Sequence, residues 1–452
     1  MASTYLSRTS GTSTNAQKYT MSFWVKRSAL GAVNMIFYSG TGGTANGDVD
    51  FAVDDKLSIY ERDASSVSWQ LKTNRVFRDV GAWYHIVIEA DSTQATSSNR
   101  IKLYINGVQE TSFSTATYPN QNISFEINKS SEVRNIGKYA NAAPYYFDGL
   151  FTHFHFIDGT AYDASTFGEF DATTGIWKPK TQPSVTYGTN GFFLKFENSG
   201  SMGLDSSPNG NNFTVNGNLT QTVDTPSNVF ATLNPLIPIG ANFSNGNLTH
   251  STTSGGYKNG LTTLGVSSGK WYSEFKITTD TNYLGMGVGN LDKGNINAIS
   301  YLGDSTNGVI LHPGANGLYY NATNPSFTTG TTFANGDIIG IALDIDNGFI
   351  YWHKNGTYMN SGVPTSGATG TGGFAVSNIA NSDGTGTYVF GVTTSATPGT
   401  RTITCNFGNG YFGTTPVSSA TSDESGLGIF EYTVPSGYYA LCTKNINTQE
   451  YA

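Results

Sequence analysis

Two cysteines in 452 residues cannot make a disulfide framework, because such frameworks belong to short secreted chains dense in cysteine. Cys405 lies in Thr402-Ile-Thr-Cys-Asn-Phe-Gly408 on the same strand face as Ile403 and Phe407, and so reads as a small buried hydrophobe. Charge is scarce as well. Only 12% of residues are charged, which removes the long helical patterns of alternating acid and base and points to many short strands. The net charge of −8 argues against a phosphate-tracking surface, so nucleic acid is not expected as a partner. No apolar run is long enough to span a bilayer, and Met1-Ala-Ser-Thr-Tyr-Leu-Ser-Arg8 is no signal segment. Synthesis and folding in a cytoplasm without membrane insertion are the expectation. Serine nucleophile elbows, phosphate loops and zinc cysteines are also missing.

What the chain has in quantity is glycine, 54 residues, with 26 tyrosines and 27 phenylalanines. Tight turns and aromatic packing on strands follow. Trp83-Tyr-His-Ile-Val-Ile-Glu-Ala-Asp91 alternates with Tyr84, Ile86, Ile88 and Ala90 on one side. In Arg100-Ile-Lys-Leu-Tyr-Ile-Asn-Gly107, Ile101, Leu103 and Ile105 do the same. Each is a strand with one apolar face, and Asn106-Gly107 supplies a type I′ hairpin turn. The unit recurs far downstream. Ile339, Ile341 and Leu343 alternate before Asp344, and Gly348-Phe-Ile-Tyr-Trp-His-Lys-Asn-Gly356 ends on Asn355-Gly356. Length and duplication together predict two cores.

In chain order, strands are expected near 19–26, 35–38, 50–53, 56–61, 123–127 and 133–137, then from Tyr145 to Gly159. Regular spacing without helical periods describes antiparallel sandwiches. Residues 197–218 are dense in Gly, Ser, Asn and Pro, and Pro226, Pro235 and Pro238 follow. The predicted organisation is therefore a sandwich over 1–196, an extended strap over 197–240 and a second sandwich over 241–452. Proline stiffening favours a strap packed on its neighbours.

The motifs Trp83-Tyr-His-Ile-Val87, Leu103-Tyr-Ile-Asn-Gly-Val108, Phe147-Asp-Gly-Leu150 and Phe156-Ile-Asp-Gly159 resemble the laminin-G and concanavalin A-like lectin/glucanase superfamily over residues 4–196. Gly269-Lys-Trp-Tyr272, Gly336-Asp-Ile-Ile-Gly340, Lys354-Asn-Gly356 and Asn406-Phe-Gly408 resemble a SPRY domain over about 240–445. The resemblance implies an all-β chain of two concanavalin A-like antiparallel β-sandwiches of jelly-roll type. It also implies loops at one edge where sugars or calcium bind in the family. Phe230-Ala-Thr-Leu-Asn-Pro235 resembles segments that join such modules in bacteriophage virion proteins. That resemblance implies a virion structural or adhesion protein, contacting other virion proteins and host surface glycans. It would be a homo-oligomer, trimeric if a fibre.

Site residues are fewer. Sugar rings stack on exposed aromatics, and Tyr139, Tyr145 and Tyr146 beside Asp148 form the candidate glycan cluster, which competes with plain strand alternation. No Glu-x-Asp-x-x-Glu run of the glucanase type is present. Asp48 with Asp50, Asp54 with Asp55 and Asp344 with Asp346 are the nearest acid pairs, and they read as turn residues. No catalytic residue is therefore assigned. His153-Phe-His155 lacks a third ligand and is read as non-metal, with Phe154 and Phe156 facing the core and the histidines outside it. Tyr351 and His353 are likewise expected outside the core. No cofactor is called, although Asp148, Asp158 and Asp163 offer oxygen donors for calcium at the presumed loop edge. The alternatives to a non-enzymatic virion protein are a polysaccharide-degrading virion enzyme and a bacterial carbohydrate-binding protein.

Overall fold

Apolar alternation builds two cores. The computed structural model describes all residues except 1–3, 42–44, 64–65, 140–144, 238–241, 254–255, 280–281, 294–300, 324, 397–398 and 452. The chain divides into two compact units, Met1–Gln221 and Thr222–Ala452. Among the described residues the one α-helix is Thr443–Glu450.

In the first unit an eight-stranded sheet runs in the spatial order Phe113–Thr117, Val67–Val76, Lys56–Arg62, Asn46–Phe51, Asn34–Gly40, Val133–Ile136, Tyr5–Thr9 and Thr214–Asn216. A six-stranded sheet runs Phe192–Leu194, Gly149–Asp158, Lys18–Arg27, Trp83–Asp91, Ile101–Ile105 and Val108–Glu110. Every pairing in both is antiparallel. Their inward faces meet in one core that includes Met21, Phe23, Ile86, Ile88, Leu103, Val49, Ile59, Trp69, Phe154 and Phe156. Residues 123–127 depart from the expected strand. Phe125 and Ile127 still drop into the core, but the backbone turns through a short 3₁₀ segment, Glu126–Asn128. The buried Glu61 carboxylate accepts the Ile127 N–H at 2.9 Å in place of a ladder partner.

The second unit pairs Asn242–Ser244, Thr249–Thr252, Arg401–Asn406, Lys270–Thr279, Ile338–Asp344, Phe349–Lys354 and Thr357–Tyr358 in one sheet. Tyr439–Ala440 is added parallel to Lys270–Thr279. The opposing sheet is Gly256–Leu261, Tyr388–Ala396, Leu284–Asn290, Gly308–His312 and Gly317–Tyr320. Trp271, Phe275, Ile341, Trp352, Met286, Phe390 and Cys405 share the core between them.

Both Asn-Gly hairpins form, and with the same bonds. Asn106 and Gly107 sit at φ 50° and 81°, Asn355 and Gly356 at 48° and 85°, the positive values that a type I′ turn requires. The Asn106 side chain accepts the His85 N–H at 2.7 Å while its own N–H donates to the His85 carbonyl. Asn355 makes the same exchange with Ile338, at 2.8 Å each way.

The stretch 197–240 is shared out between the two units. Thr214–Asn216 is an edge strand on Tyr5–Thr9, and Phe213 joins the first core. Ala231 and Leu233 join the second. A polar composition hides these few apolar side chains, and burial pulls each part of the segment onto its own sandwich. Pro238 lies outside the described residues.

Candidate functional site

Each sandwich has outward sheet faces, and alternation sends polar residues there. On the six-stranded sheet of the first unit that face carries Trp24, His85 and His155, yet all three are buried. Residues 160–190 cover it, packing Ala164 and Phe167 on Val87 and Ile157. The Trp177 indole N–H donates to His85 Nδ1 at 2.9 Å. His85 Nε2 therefore carries the proton and faces Ser22 Oγ at 2.9 Å. Burial pushes the His85 pKa down to about 3 and that of His155 well below the usual value, so both are neutral. His153 sits at φ 47° in a bulge between Thr152 and His155. The two histidines are thus not simple alternation partners, and among the described residues no three or more His, Cys, Asp or Glu side chains are grouped to hold a metal ion.

The outward face of the eight-stranded sheet is chemically different. Asn46, Asp48 and Asp50 alternate along one strand, with Val49 turned into the core. Asp48 lies opposite Tyr38 on one side and Tyr60 on the other, and Asp50 opposite Ser58. Asn46 Nδ2 donates to Asp48 Oδ2 at 2.6 Å, and the Tyr60 hydroxyl bonds to the same carboxyl. Asp48 Oδ1 is buried without a hydrogen-bond partner. Burial pushes Asp48 up to about 7, and burial together with the charge of Asp48 does the same to Asp50. Both groups are then close to half protonated near neutrality, so the pair can accept and donate hydrogen bonds. Alternate strand positions set their Cα atoms ~6.6 Å apart. Lys72 and Asp54, joined at 3.0 Å, stand beside them.

Tyrosines complete this face. Tyr139 packs edge-on to Tyr38 at 5.1 Å between ring centroids and to Tyr145 at 6.1 Å. The Tyr139 N–H donates to the Tyr145 carbonyl, and Tyr145 is 46% exposed. Tyr146 parts from this group. It faces Tyr5 at 6.3 Å and Lys138 at 5.8 Å, because adjacent residues of an extended backbone point oppositely. The Asp148 backbone is tied to Asn34 and Ser28, a link to a different turn. Two of the four expected glycan residues, Tyr139 and Tyr145, therefore stand together with Tyr38 and the acids.

The acids themselves correct the turn reading. Asp48 and Asp50 lie inside a strand and are buried. Asp55 is a buried turn residue paired with Arg27 at 3.0 Å. The Asp-x-Asp alternation was visible in the sequence, but the flanking Gly47 disguised the strand as a turn. As for calcium, the Asp158 carboxylate accepts from Thr14 N, Asn190 N and Asn128 Nδ2 at 2.8–3.0 Å. Both its oxygens are taken by N–H donors, and Asp163 Oδ1 accepts the Ser165 hydroxyl at 2.7 Å instead. Tyr351 and His353 do point outward, but they too are buried, beneath Phe430 and Tyr438 of the C-terminal segment.

Residues 2–164 match the family model of the concanavalin A-like lectin/glucanases superfamily, and residues 270–393 that of the SPRY domain. The chain carries one domain of each kind. Among solved structures it is similar to the SPRY domain of human HERC1, at 20% identity over 38% of this chain and 96% of that one, TM-score 0.30. It is similar to the native heptameric SAP-like pentraxin from Limulus polyphemus, at 16% identity over 36% of this chain and 72% of that one, TM-score 0.27. It is also similar to the TRIM65 PSpry domain, at 12% identity over 39% of this chain and 91% of that one, TM-score 0.28. No curated protein matches the sequence. Lectin-like and SPRY domains are typically non-catalytic binding modules, and their presence supports a carbohydrate- or protein-binding role.

Proposed function

We propose that this chain is a non-enzymatic adhesion protein of a bacteriophage particle, whose lectin-like domain contacts host surface glycans. The observation that carries the glycan reading is the meeting of Tyr38, Tyr139 and Tyr145 with Asp48 and Asp50 on one outward sheet face. Aromatic rings stack on the C–H faces of sugars, and Tyr145, 46% exposed, opens this face to a ligand. The particle assignment is supported by the Phe230-Ala-Thr-Leu-Asn-Pro235 resemblance. Other virion proteins are then its neighbours, and several copies, three in a fibre, raise avidity. Retention of the purified chain on immobilised polysaccharide tests the first part. Tyr139→Ala and Tyr145→Ala should each weaken retention about fivefold, the weight of one ring contact. Unchanged retention in both variants would remove this face from the reading. Mass spectrometry of purified virions tests the second part, and absence of the chain would end the particle assignment.

A polysaccharide-cleaving reading has its own support in the same acids. Two carboxyls at alternate strand positions, both raised to about 7, suit a general acid and its partner. A reducing-end assay separates the two readings: release of ends by the wild type and none by Asp48→Asn would make the chain an enzyme.

A further inference from the structure

The SPRY domain has an outward face of its own, on its five-stranded sheet. Met286, Val288, Val309, Leu311, Phe390 and Val392 turn inward, so the residues between them turn out. Across the strands Leu261 lies opposite Gly391, Gly391 opposite Gly287, Gly287 opposite Ile310 and Ile310 opposite Tyr319. The two glycines let neighbours pack closely: a Cβ on Gly287 would come within 1.8 Å of the Val309 carbonyl oxygen, and one on Gly391 within 2.8 Å of the buried Leu261 and Leu302 side chains, which make the floor of this face. Three half-buried rings stand around it. Tyr257 and Tyr301 are 4.7 Å apart between centroids, Tyr301 and Tyr319 6.1 Å, and His312 lies 4.9 Å from Tyr319. Burial raises the pKa of Tyr257 and Tyr301, which keeps both phenols as O–H groups.

Two polar features mark this face. Asn259 is 1% exposed and accepts the Thr393 hydroxyl proton at 2.6 Å through Oδ1, while its Nδ2 is buried without a hydrogen bond. The hydroxyls of the half-buried Tyr257, Tyr301 and Tyr319 are not among the buried unpartnered atoms and stay available to a ligand. Packing alone accounts for the rings but not for an unsatisfied buried amide on the same strand face as Tyr257. An apolar occupant would leave the amide unpaired. A sugar supplies C–H faces for the rings, hydroxyl and ring oxygens for the amide N–H, and hydroxyls for the phenols.

We infer that the SPRY domain carries a second saccharide-binding platform, formed by Tyr257, Tyr301 and Tyr319 over Asn259. The chain is then bivalent for glycans, and its two faces add avidity on one polymer. The inference does not depend on the tyrosine–acid face of the lectin-like domain.

The test uses the full chain on immobilised mannan, β-glucan and galactan, with unfolding temperatures checked for every variant. A Tyr139→Ala/Tyr145→Ala double variant removes ring contacts from the first face only. Residual binding by that variant should fall about tenfold on adding Tyr301→Ala and by less on adding Tyr301→Phe, which keeps the ring and loses only the hydroxyl. Loss of all binding in the double variant alone would overturn the inference, and so would residual binding indifferent to Tyr257→Ala and Tyr301→Ala. Binding lost on Tyr301→Ala alone, with the double variant unaffected, would support this platform and refute the face in the lectin-like domain. If the wild type binds none of the three polymers, both fail.

Discussion

The lectin-like and SPRY sandwiches solve one problem in two ways. Each carries an Asn-Gly hairpin on a sheet whose outward face is roofed by a later segment, and each places a neutral histidine under the roof. His85 accepts from Trp177 at Nδ1 and faces Ser22 through Nε2. His353 accepts the Gly356 N–H at Nδ1 and faces the Tyr272 hydroxyl through Nε2 at 2.6 Å. In the first unit the roof rests on apolar packing and on bonds between uncharged groups: Trp177 to His85, Tyr187 to His155 at 2.9 Å and the Tyr162 N–H to the Thr20 hydroxyl at 2.8 Å. In the second it hangs on a buried carboxyl: Glu274 accepts the N–H groups of Glu431 and Tyr432 at 2.8 and 2.9 Å, and the Tyr272 hydroxyl at 3.0 Å. A polar residue on an outward face is therefore no guide to exposure. What matters is whether a later segment brings it partners.

The sharpest break of the comparison is to empty each core in turn. Trp69→Ala and Trp352→Ala, both at fully buried sites, should each cost about 3–5 kcal/mol. Calorimetry should show each substitution lowering the transition of its own unit, and equal loss from both transitions would mean that the cores are not separate.

Next comes the difference between the roofs. Glu274→Ala leaves two backbone N–H groups unpaired in a buried place and takes the acceptor from the Tyr272 hydroxyl, which keeps only His353, and should cost about 3 kcal/mol. Trp177→Ala, at a half-buried ring, should cost nearer 2 kcal/mol. Hydrogen exchange over residues 423–442 and 160–190 should locate each loss, and equal costs would erase the distinction.

Asp48 and Asp50 give the lectin-like domain a pH response. Their folded values lie near 7 against an ordinary 3.8, so the folded state binds protons more tightly. The stability this brings is complete below about pH 3.8 and is lost as pH rises through 7. Asp50→Asn should therefore gain on the wild type between pH 4 and pH 8, by roughly 1–2 kcal/mol after allowance for coupling within the pair. Parallel denaturation curves at the two pH values would contradict the raised values.

The smallest effect sharpens the likeness of the two units. Asn106→Ala and Asn355→Ala each remove an equivalent side-chain acceptor and a residue suited to positive φ. Each should cost about 1 kcal/mol by urea denaturation, and a cost in one hairpin alone would show that the turns are not equivalent.

Much of this molecule was legible from residue order. Alternation in Trp83–Asp91 and Ile101–Ile105, and the repeated Asn-Gly, determined the strand faces, the hairpins and the duplication, because a period of two and a positive-φ turn are local properties of the backbone. Tyr139 and Tyr145 could be singled out because aromatics beside a loop are visible in one stretch of chain. Tertiary structure alone decided the rest. It carried Asp48 and Asp50 from apparent turn residues to a buried pair beside those tyrosines, and it sent Tyr146 the other way. It also buried His155, Tyr351 and His353 under segments distant in sequence, and set Tyr301 beside Tyr257. Burial and pKa depend on which remote segments arrive at a face, and no local pattern encodes that.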